Sequence, residues 1–210
     1  MHRAVAAFTS EEATAYVRGS TLRAASRSSY PTIATVNLRL RPFGLTDISA
    51  LVATANSHHV TDTALDTPCP FTAKYAQQWI NSHAAAWEAR DSVHWAVSEL
   101  ADDRFVGYLC LHNIDLDERQ AELNFWMGQG IDRVRHATEA TQAALAFAFA
   151  TLQLDRVHAF HLTRNHLATR VLARLGMQQV GPTDQLACGS DQYENVIVRG
   201  ISRSAWLDSL

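Results

Sequence analysis

Glu122 is a carboxylate inside an otherwise apolar stretch, residues 121–127, and this position makes it a candidate general base. Burial among apolar neighbours disfavours the charged form of a carboxylate and raises its pKa toward the range that proton transfer near neutral pH requires. A solvated glutamate near the start of a strand fits the same pattern equally well. The residues alone therefore leave a catalytic and a structural role for Glu122 open.

Asn165 follows a candidate strand at residues 156–162 and directly precedes a segment with helical spacing. An asparagine there either caps the helix through its side-chain oxygen or offers its amide to a ligand, and the two roles are compatible. Trp126 is more typical of a packing residue than of a substrate clamp. His58 and His59 lie in a polar segment where exposed histidines are common, so a functional role is the less expected one.

Patterns for other chemistries are missing from the chain. His158, His161 and His166 are close in sequence, but residues 158 and 161 of one strand face opposite sides of a sheet. No His-Glu-x-x-His helix accompanies them, and no Gly-x-Ser-x-Gly elbow of a serine hydrolase occurs. The three cysteines form no Cys-x-x-Cys pair, which argues against a zinc site or a disulfide framework. We therefore expect no metal site.

The chain has 210 residues, of which 47% are hydrophobic and 19% charged, enough apolar surface for one folded domain. Its longest apolar run, residues 143–150, is far shorter than the roughly 20 residues of a membrane-spanning helix. The apolar start is also too short for a secretory signal. A formal charge of −3 argues against binding of duplex nucleic acid. We expect a cytoplasmic protein without membrane association.

Apolar periodicity predicts an α/β (α+β) fold, in which a mixed, mostly antiparallel central sheet is flanked by about four helices. Strands are expected at residues 36–42, 93–100, 105–114, 121–127, 156–162 and 195–202, and helices at 46–55, after Thr72, at 137–152 and at 166–175. Residues 1–35 are expected to form an N-terminal arm, with a short helix at 11–18, ahead of a domain at residues 36–210.

Six strings occur in the order and at the spacing of the GNAT superfamily of N-acyltransferases. They are LRLRP at residues 38–42, LHNID at 111–115, AELNFWMG at 121–128, ATEA at 137–140, RVLARLGM at 170–177 and ISRSAW at 201–206. Through them the chain resembles the RimJ/RimL-like branch, the ribosomal-protein N-terminal acetyltransferases. The resemblance covers about residues 36–206.

This resemblance implies transfer of an acetyl or other small acyl group from acetyl-CoA, or another acyl-CoA, to a primary amine of a small molecule or peptide. The acceptor would lie between residues 57–70 and 181–193. The implied catalytic residues are Glu122 and Asn165. The implied donor-binding residues are Trp126, Met127, Arg133, Val134, Arg135, His136, Ala137, Asn165 and Arg170.

The donor-binding pattern of the family is altered at three positions. Arg133 and Arg135 replace two glycines of its phosphate-binding loop, where glycine permits a positive φ and close approach of a phosphate. Their guanidinium groups could instead contact phosphate directly, beside the N-terminus of a helix that is expected to begin, uncapped, at Ala137. Ala168 replaces the serine that would protonate the leaving thiolate. Thr169 carries a hydroxyl one residue later, which on a helix points about 100° away, so the acid role is not transferred to it.

These departures leave two alternatives to an acyl-CoA-dependent N-acyltransferase. One is a GNAT-fold enzyme with another donor, such as an aminoacyl-tRNA or a carrier-bound acyl group. Arg133, Arg135, Arg164 and Arg170 would then supply local positive charge for it. The other is a catalytically inactive GNAT-like binding protein. The sequence leaves open whether the chain forms a homodimer.

Overall fold

The computed structural model describes residues 21–23, 30–63, 67–181, 184–188 and 192–209. The helix expected at residues 11–18 lies outside these ranges. Parts of the two segments expected to enclose the acceptor, residues 57–70 and 181–193, also lie outside them.

One sheet contains all ten strands of the described ranges. The strands are β1 Thr21–Arg23, β2 Thr32–Ala34, β3 Leu38–Arg41, β4 Val93–Glu99, β5 Phe105–Asp115, β6 Gln120–Met127, β7 Arg156–Leu162, β8 Gln178–Gln179, β9 Asp184–Cys188 and β10 Gln192–Ser202. They are ordered β1-β2-β3-β4-β5-β6-β7-β10-β8, and β9 pairs with β10. Pairing is antiparallel except between β6 and β7, which are parallel, so the predicted mixed and mostly antiparallel sheet is confirmed.

Helices cover both faces of this sheet. They are α1 Ile48–Ala55, α2 His58–Thr61, α3 Ala73–Glu88, α4 Arg133–Ala146, α5 His166–Arg174 and α6 Arg203–Asp208, and a π-helical turn, Phe147–Thr151, extends α4. The four expected helices are present, and the short helices α2 and α6 add to them. Helix α2 lies within residues 57–70, one of the two segments expected to enclose the acceptor.

Two apolar clusters hold the layers together. The larger joins one sheet face to α4 and α5, where Ala140 and Ala144 of α4 are fully buried and let the helix lie close to the strands. The smaller joins the opposite face to α1 and α3 through residues such as Leu51, Tyr108 and Trp126. Strand β6 therefore contributes side chains to both clusters and lies at the centre of the molecule.

The packed core begins before the expected domain start at residue 36. Strand β2 pairs with β3, and Ile33 within it is 1% exposed. The Trp95 indole N–H donates to the Pro31 carbonyl at 2.9 Å, and the Tyr30 hydroxyl donates to the His94 carbonyl at 2.8 Å. A three-residue strand with one buried apolar side chain is too short for periodicity to identify.

Candidate active site

Strands β6 and β7 separate after a short parallel contact, and a cleft opens between them. Their pairing covers only residues 120–122 against 156–158, although the strands continue to Met127 and Leu162. The cleft has a volume of about 320 Å³ and is lined by β6, by the end of β7 and by the first turn of α5. Backbone groups of residues 123–127 that face β7 therefore have no partner strand on that side.

The structure brings some of the predicted donor-binding residues to this cleft and leaves others away from it. Trp126, Met127, Arg133 and Asn165 line the cleft. Val134 is half-buried against the larger cluster, and His136 and Ala137 are buried. Arg135 and Arg170 are exposed and do not line the cleft.

Helix α4 begins four residues earlier than expected. It starts at Arg133 rather than Ala137, and Asp132 is its N-cap. The Asp132 carboxylate accepts a hydrogen bond from the backbone N–H of Arg135 at 3.1 Å. The predicted uncapped start was wrong because Asp132 is itself a favourable capping residue directly before a helical segment. An anion at the N-terminus of α4 would be repelled by the Asp132 carboxylate, which already accepts from one backbone N–H of the first turn.

Arginine in place of the family's glycines causes no backbone strain here. Arg133 and Arg135 lie in the first turn of α4, and neither has a positive φ. The positive φ of this segment falls on Gly130, at 77°. What the two arginines change is therefore the bulk and charge of the side chains, since the backbone conformation does not require glycine at either position.

Asn165 caps helix α5 and faces the cleft. Its Oδ1 accepts from the backbone N–H of Ala168 at 3.0 Å, so the capping role is confirmed. Because Oδ1 is used in this way, the Nδ2 amide is the group that can donate to a ligand. Ala168 lines the cleft without a polar group, and the hydroxyl of Thr169 donates back to the Asn165 carbonyl at 3.1 Å.

Hydrogen bonds connect helix α2 and the residue that follows it to both walls of the cleft. His59 Nε2 lies 2.8 Å from the Met127 carbonyl oxygen of β6, and its Nδ1 lies 3.3 Å from Nε2 of Gln129. This geometry assigns the proton to Nε2, with Nδ1 as the acceptor. On the other side, Arg164 Nε donates to the Asp62 carbonyl at 2.9 Å. His59 thus joins α2 to β6, whereas His58 is exposed and pairs with the Asp62 carboxylate at 2.6 Å.

A second cavity, of about 280 Å³, lies on the face of the sheet that α3 covers. Helix α3, residues 67–71 and the faces of β4, β5 and β6 surround it. Asn124 and Trp126 line this cavity as well as the cleft. The two spaces therefore meet at β6.

Glu122 is less buried than the sequence suggested. About 32% of its side chain is exposed, and it lines neither space. Its Oε1 accepts from Asn113 Nδ2 at 3.0 Å, and its Oε2 lies 3.8 Å from His112 Nε2. His112 does line the second cavity, so Glu122 lies directly behind a titratable residue of that wall. Asn113 adopts a positive φ at the irregular end of the β5–β6 ladder.

Two stacked histidines stand on the cavity side of the sheet. His94 lines the cavity, and His83 packs against it with ring centroids 4.3 Å apart and nearly parallel planes. Burial lowers the pKa of His94 to about 4 and that of His83 to about 3, and each ring is therefore neutral near pH 7. His94 Nδ1 lies 3.0 Å from the Tyr108 hydroxyl.

Sequence reasoning missed His94, Tyr108, His112 and Asn124 as site residues. The sequence signal that could have identified them is the alternation of side chains along a strand. It places residues 108, 110 and 112 on one face of β5. The register then sets His94 beside Cys110, and Cys110 beside Asn124. Register depends on the hairpin turns, which the sequence predicts only approximately.

Metal ligands do not converge in the part of the chain that the structure describes. His161 is 2% exposed in the cleft wall, and its two ring nitrogens are held by the Leu162 carbonyl and by Arg199.

Across the ranges that the structure describes, no helix combines the length and the apolar character that crossing a bilayer demands. The Cys110 side chain is buried in the wall of the second cavity, and Cys69 is exposed.

Comparison with known families finds one match over most of the chain. The sequence profile of the acetyltransferase (GNAT) domain matches residues 37–178. This range includes β6, β7, the first turn of α5 and every residue that lines both the cleft and the second cavity.

Two curated relatives come from Bacillus subtilis. YdaF, provisionally named a ribosomal N-acetyltransferase, is 23% identical over 107 residues, which is 51% of this chain and 58% of YdaF. YjcK, provisionally named an N-acetyltransferase, is 26% identical over 115 residues, which is 53% of this chain and 62% of YjcK. The match thus spans less than two thirds of each curated relative.

Solved structures share the fold over a larger part of the chain. Mycobacterium smegmatis RimJ, in complex with CoA-disulfide, superposes with a TM-score of 0.70 at 20% identity, over 80% of this chain and 82% of RimJ. Vibrio cholerae spermidine N-acetyltransferase, in complex with CoA and spermine, has a TM-score of 0.67 at 19% identity, over 81% of this chain and 98% of that protein. These similarities establish the architecture.

Proposed function

The chain belongs to the GNAT acetyltransferase family, and we propose that it transfers an acetyl or other small acyl group from an acyl-CoA to a primary amine. The observation that supports this most is the junction at β6. A cleft between β6 and β7 and a cavity on the face of the sheet that α3 covers share Asn124 and Trp126, so a donor and an acceptor can meet there. We expect this activity in the cytoplasm; a homodimer remains a prediction.

The cleft suits the pantetheine arm of an acyl-CoA. An extended amide chain can pair with the backbone groups of residues 123–126 that face β7, as a short strand inserted between β6 and β7, whereas the Met127 carbonyl already accepts from His59. The Asn165 amide would donate to this arm, and Arg133 at the cleft wall would approach the phosphates. Arg135 and Arg170 are exposed and do not line the cleft, so we expect a smaller contribution from them than from Arg133.

The reaction needs a free amine, a stabilised oxyanion and a base. The amine nitrogen attacks the thioester carbonyl, the carbon–nitrogen bond forms, and the carbon–sulfur bond breaks to release the thiolate of CoA. Backbone N–H groups of residues 125–127 would stabilise the oxyanion. The ammonium proton would pass to His112 in the cavity wall, with Glu122 at 3.8 Å to stabilise the charged ring. Glu122 then acts through His112 rather than by direct contact.

A second candidate function is favoured by Asp132. Its carboxylate caps α4 where the family's donors place a pyrophosphate, and it would repel a phosphate group at this position. A donor of another class, such as an aminoacyl-tRNA or a carrier-bound acyl group, would extend from the cleft in a different direction. Loss of the family's serine at Ala168 also agrees with an inactive binding protein.

A turnover experiment separates these candidates. Wild-type protein is incubated with acetyl-CoA and a mixture of primary amines and short peptides, and mass spectrometry detects amines that gain one acetyl group. We expect acetylated product and an equal amount of free CoA thiol. Binding of acetyl-CoA without product would favour the inactive protein, and neither binding nor product would favour another donor.

The matched variants are Asn165→Asp and Asn81→Asp. Aspartate caps a helix as well as asparagine does but cannot donate a hydrogen bond, so Asn165→Asp should keep the fold and raise the KM for acetyl-CoA about tenfold. Asn81 is exposed on α3 and lines neither space, so the same change there should leave the KM unaltered. An unchanged KM in Asn165→Asp would remove Asn165 from the donor site.

A further inference from the structure

The second cavity is distinguished by the rings that line it. Five aromatic side chains form its wall: Phe71, Tyr75, Trp79, Tyr108 and Trp126. Phe71 and Tyr75 are 5.1 Å apart, Trp79 and Tyr108 are 5.3 Å apart, and Tyr108 and Trp126 are 5.2 Å apart, measured between centroids. Phe71 and Trp79, 6.1 Å apart, connect these pairs, so the rings form a continuous aromatic surface that ends at the junction at β6.

Charge is scarce on this surface. Among the lining residues that the structure describes, Asp91 is the one carboxylate, and it is exposed. His94 is neutral near pH 7 because burial lowers its pKa to about 4. A ligand with several ammonium groups would need several carboxylates to replace its hydration, and the described wall offers a single one. A flat, apolar group of a ligand would instead displace water from these rings, and burying their apolar surface would favour binding.

The size of the cavity agrees with a ring on a short chain. A cavity of about 150 Å³ is enough to hold a benzene molecule. The observed volume of about 280 Å³ leaves room for a ring and two or three further atoms. A chain of that length would place an amine beside Asn124, at the point where the cavity meets the cleft.

We propose that the acceptor is a primary amine carried by an aromatic group, with the ring held between α3 and the sheet and the nitrogen directed to the junction at Asn124 and Trp126. This proposal rests on the proposed function, because it assigns the second cavity to the acceptor. Two sources share this chemistry: a free arylalkylamine, and a peptide whose N-terminal residue is aromatic.

Direct binding in the absence of any donor tests the proposal. Calorimetric titration compares 2-phenylethylamine with butylamine, which has the amine but no ring, and with spermidine. We expect 2-phenylethylamine to bind at least about tenfold more tightly than either. Equal or tighter binding of butylamine or spermidine, or no binding of 2-phenylethylamine, would overturn the proposal. A peptide that begins with phenylalanine distinguishes the sources: binding as tight as that of the free amine indicates a peptide acceptor, and weaker binding indicates the small amine.

Variants of Tyr75 locate the ring. Tyr75 is 40% exposed at the cavity wall, so its replacement should not disturb the core. Tyr75→Leu removes one aromatic face and should weaken 2-phenylethylamine about three- to tenfold, whereas Tyr75→Phe should bind it as the wild type does. Acetyl-CoA binding should be equal in all three proteins. If the amine binds but acetyl-CoA does not, the proposed function fails and the ligand class stands; if acetyl-CoA binds and the ring makes no difference, the reverse holds.

Discussion

Replacing Asp132 by asparagine should tighten the binding of acetyl-CoA. Asp132 accepts from the Arg135 N–H at 3.1 Å, and a phosphate oxygen bound to the same helical turn would lie about 5 Å from the carboxylate. Two unit charges at about 5 Å repel by about 0.8 kcal/mol at the dielectric constant of water, and by about 3 kcal/mol at an effective value of about 20. Because Asp132 is exposed, we expect its removal to relieve a repulsion of about 1 to 1.5 kcal/mol. This corresponds to a Kd for acetyl-CoA that is about 5- to 12-fold lower.

The assay is calorimetric titration of acetyl-CoA at low and at high salt. Asparagine is as good an N-cap as aspartate, so the melting temperature should not change. The advantage of Asp132→Asn should shrink as salt screens the repulsion. Asp117→Asn, which removes the same charge from an exposed turn outside the cleft, should leave the Kd unchanged. Unchanged or weaker binding by Asp132→Asn would show that the phosphates do not approach the N-terminus of α4.

The two arginines of this turn provide an internal comparison for the same assay. Arg133 lines the cleft and Arg135 does not, although both lie in the first turn of α4. Arg133→Ala should therefore weaken acetyl-CoA about tenfold, as expected for a partly exposed charge-assisted contact, and Arg135→Ala should have a much smaller effect. Equal losses in both variants would contradict a direct contact by Arg133.

Three further changes test the catalytic wall and the core. Glu122→Gln should lower kcat about 100-fold with little effect on the KM for acetyl-CoA, and a pH-rate profile identical to that of the wild type would contradict its role in proton transfer. His83→Phe should make the protein less sensitive to acid: the pKa of His83 is lowered to about 3 on folding, so the unfolded chain binds more protons and stability is lost as the pH falls from about 6.5 toward 3. In urea unfolding at about pH 5, the variant should lose about 2 kcal/mol less than the wild type relative to neutral pH, and an equal loss would refute the argument. Deleting residues 1–35 should lower the free energy of unfolding by at least about 2 kcal/mol, since it removes Ile33 from the core and the carbonyl that accepts from Trp95; an unchanged urea midpoint would contradict this packing.

The central strands and main helices could be predicted from sequence because their apolar periods are long and regular. Residues 156–162 were placed exactly at β7, and β4, β5 and β6 were placed within one residue at each end. The early start of α4 was missed because the resemblance to a glycine-containing loop outweighed a local capping signal at Asp132. Strand β2 was missed because one buried residue, Ile33, gives no period.

The residues of the cleft were easier to predict than those of the second cavity. Asn165 and Trp126 stand next to recognisable strand ends, so their approach to the cleft follows from local sequence. The second cavity depends on residues far apart in the chain, such as Trp79 and Tyr108, whose rings meet only after α3 packs on the sheet. The partial exposure of Glu122 likewise depends on the irregular end of the β5–β6 ladder, which a single sequence does not reveal.

Titration of acetyl-CoA into the wild-type protein tests the central claim most directly. The claim is that the cleft between β6 and β7 is a donor site despite Arg133, Arg135 and the Asp132 cap. We predict saturable binding at one site per chain, weakened by salt because the phosphates are charged. The absence of any saturable heat at low salt, from a protein shown to be folded, would contradict the claim and favour a donor other than acyl-CoA.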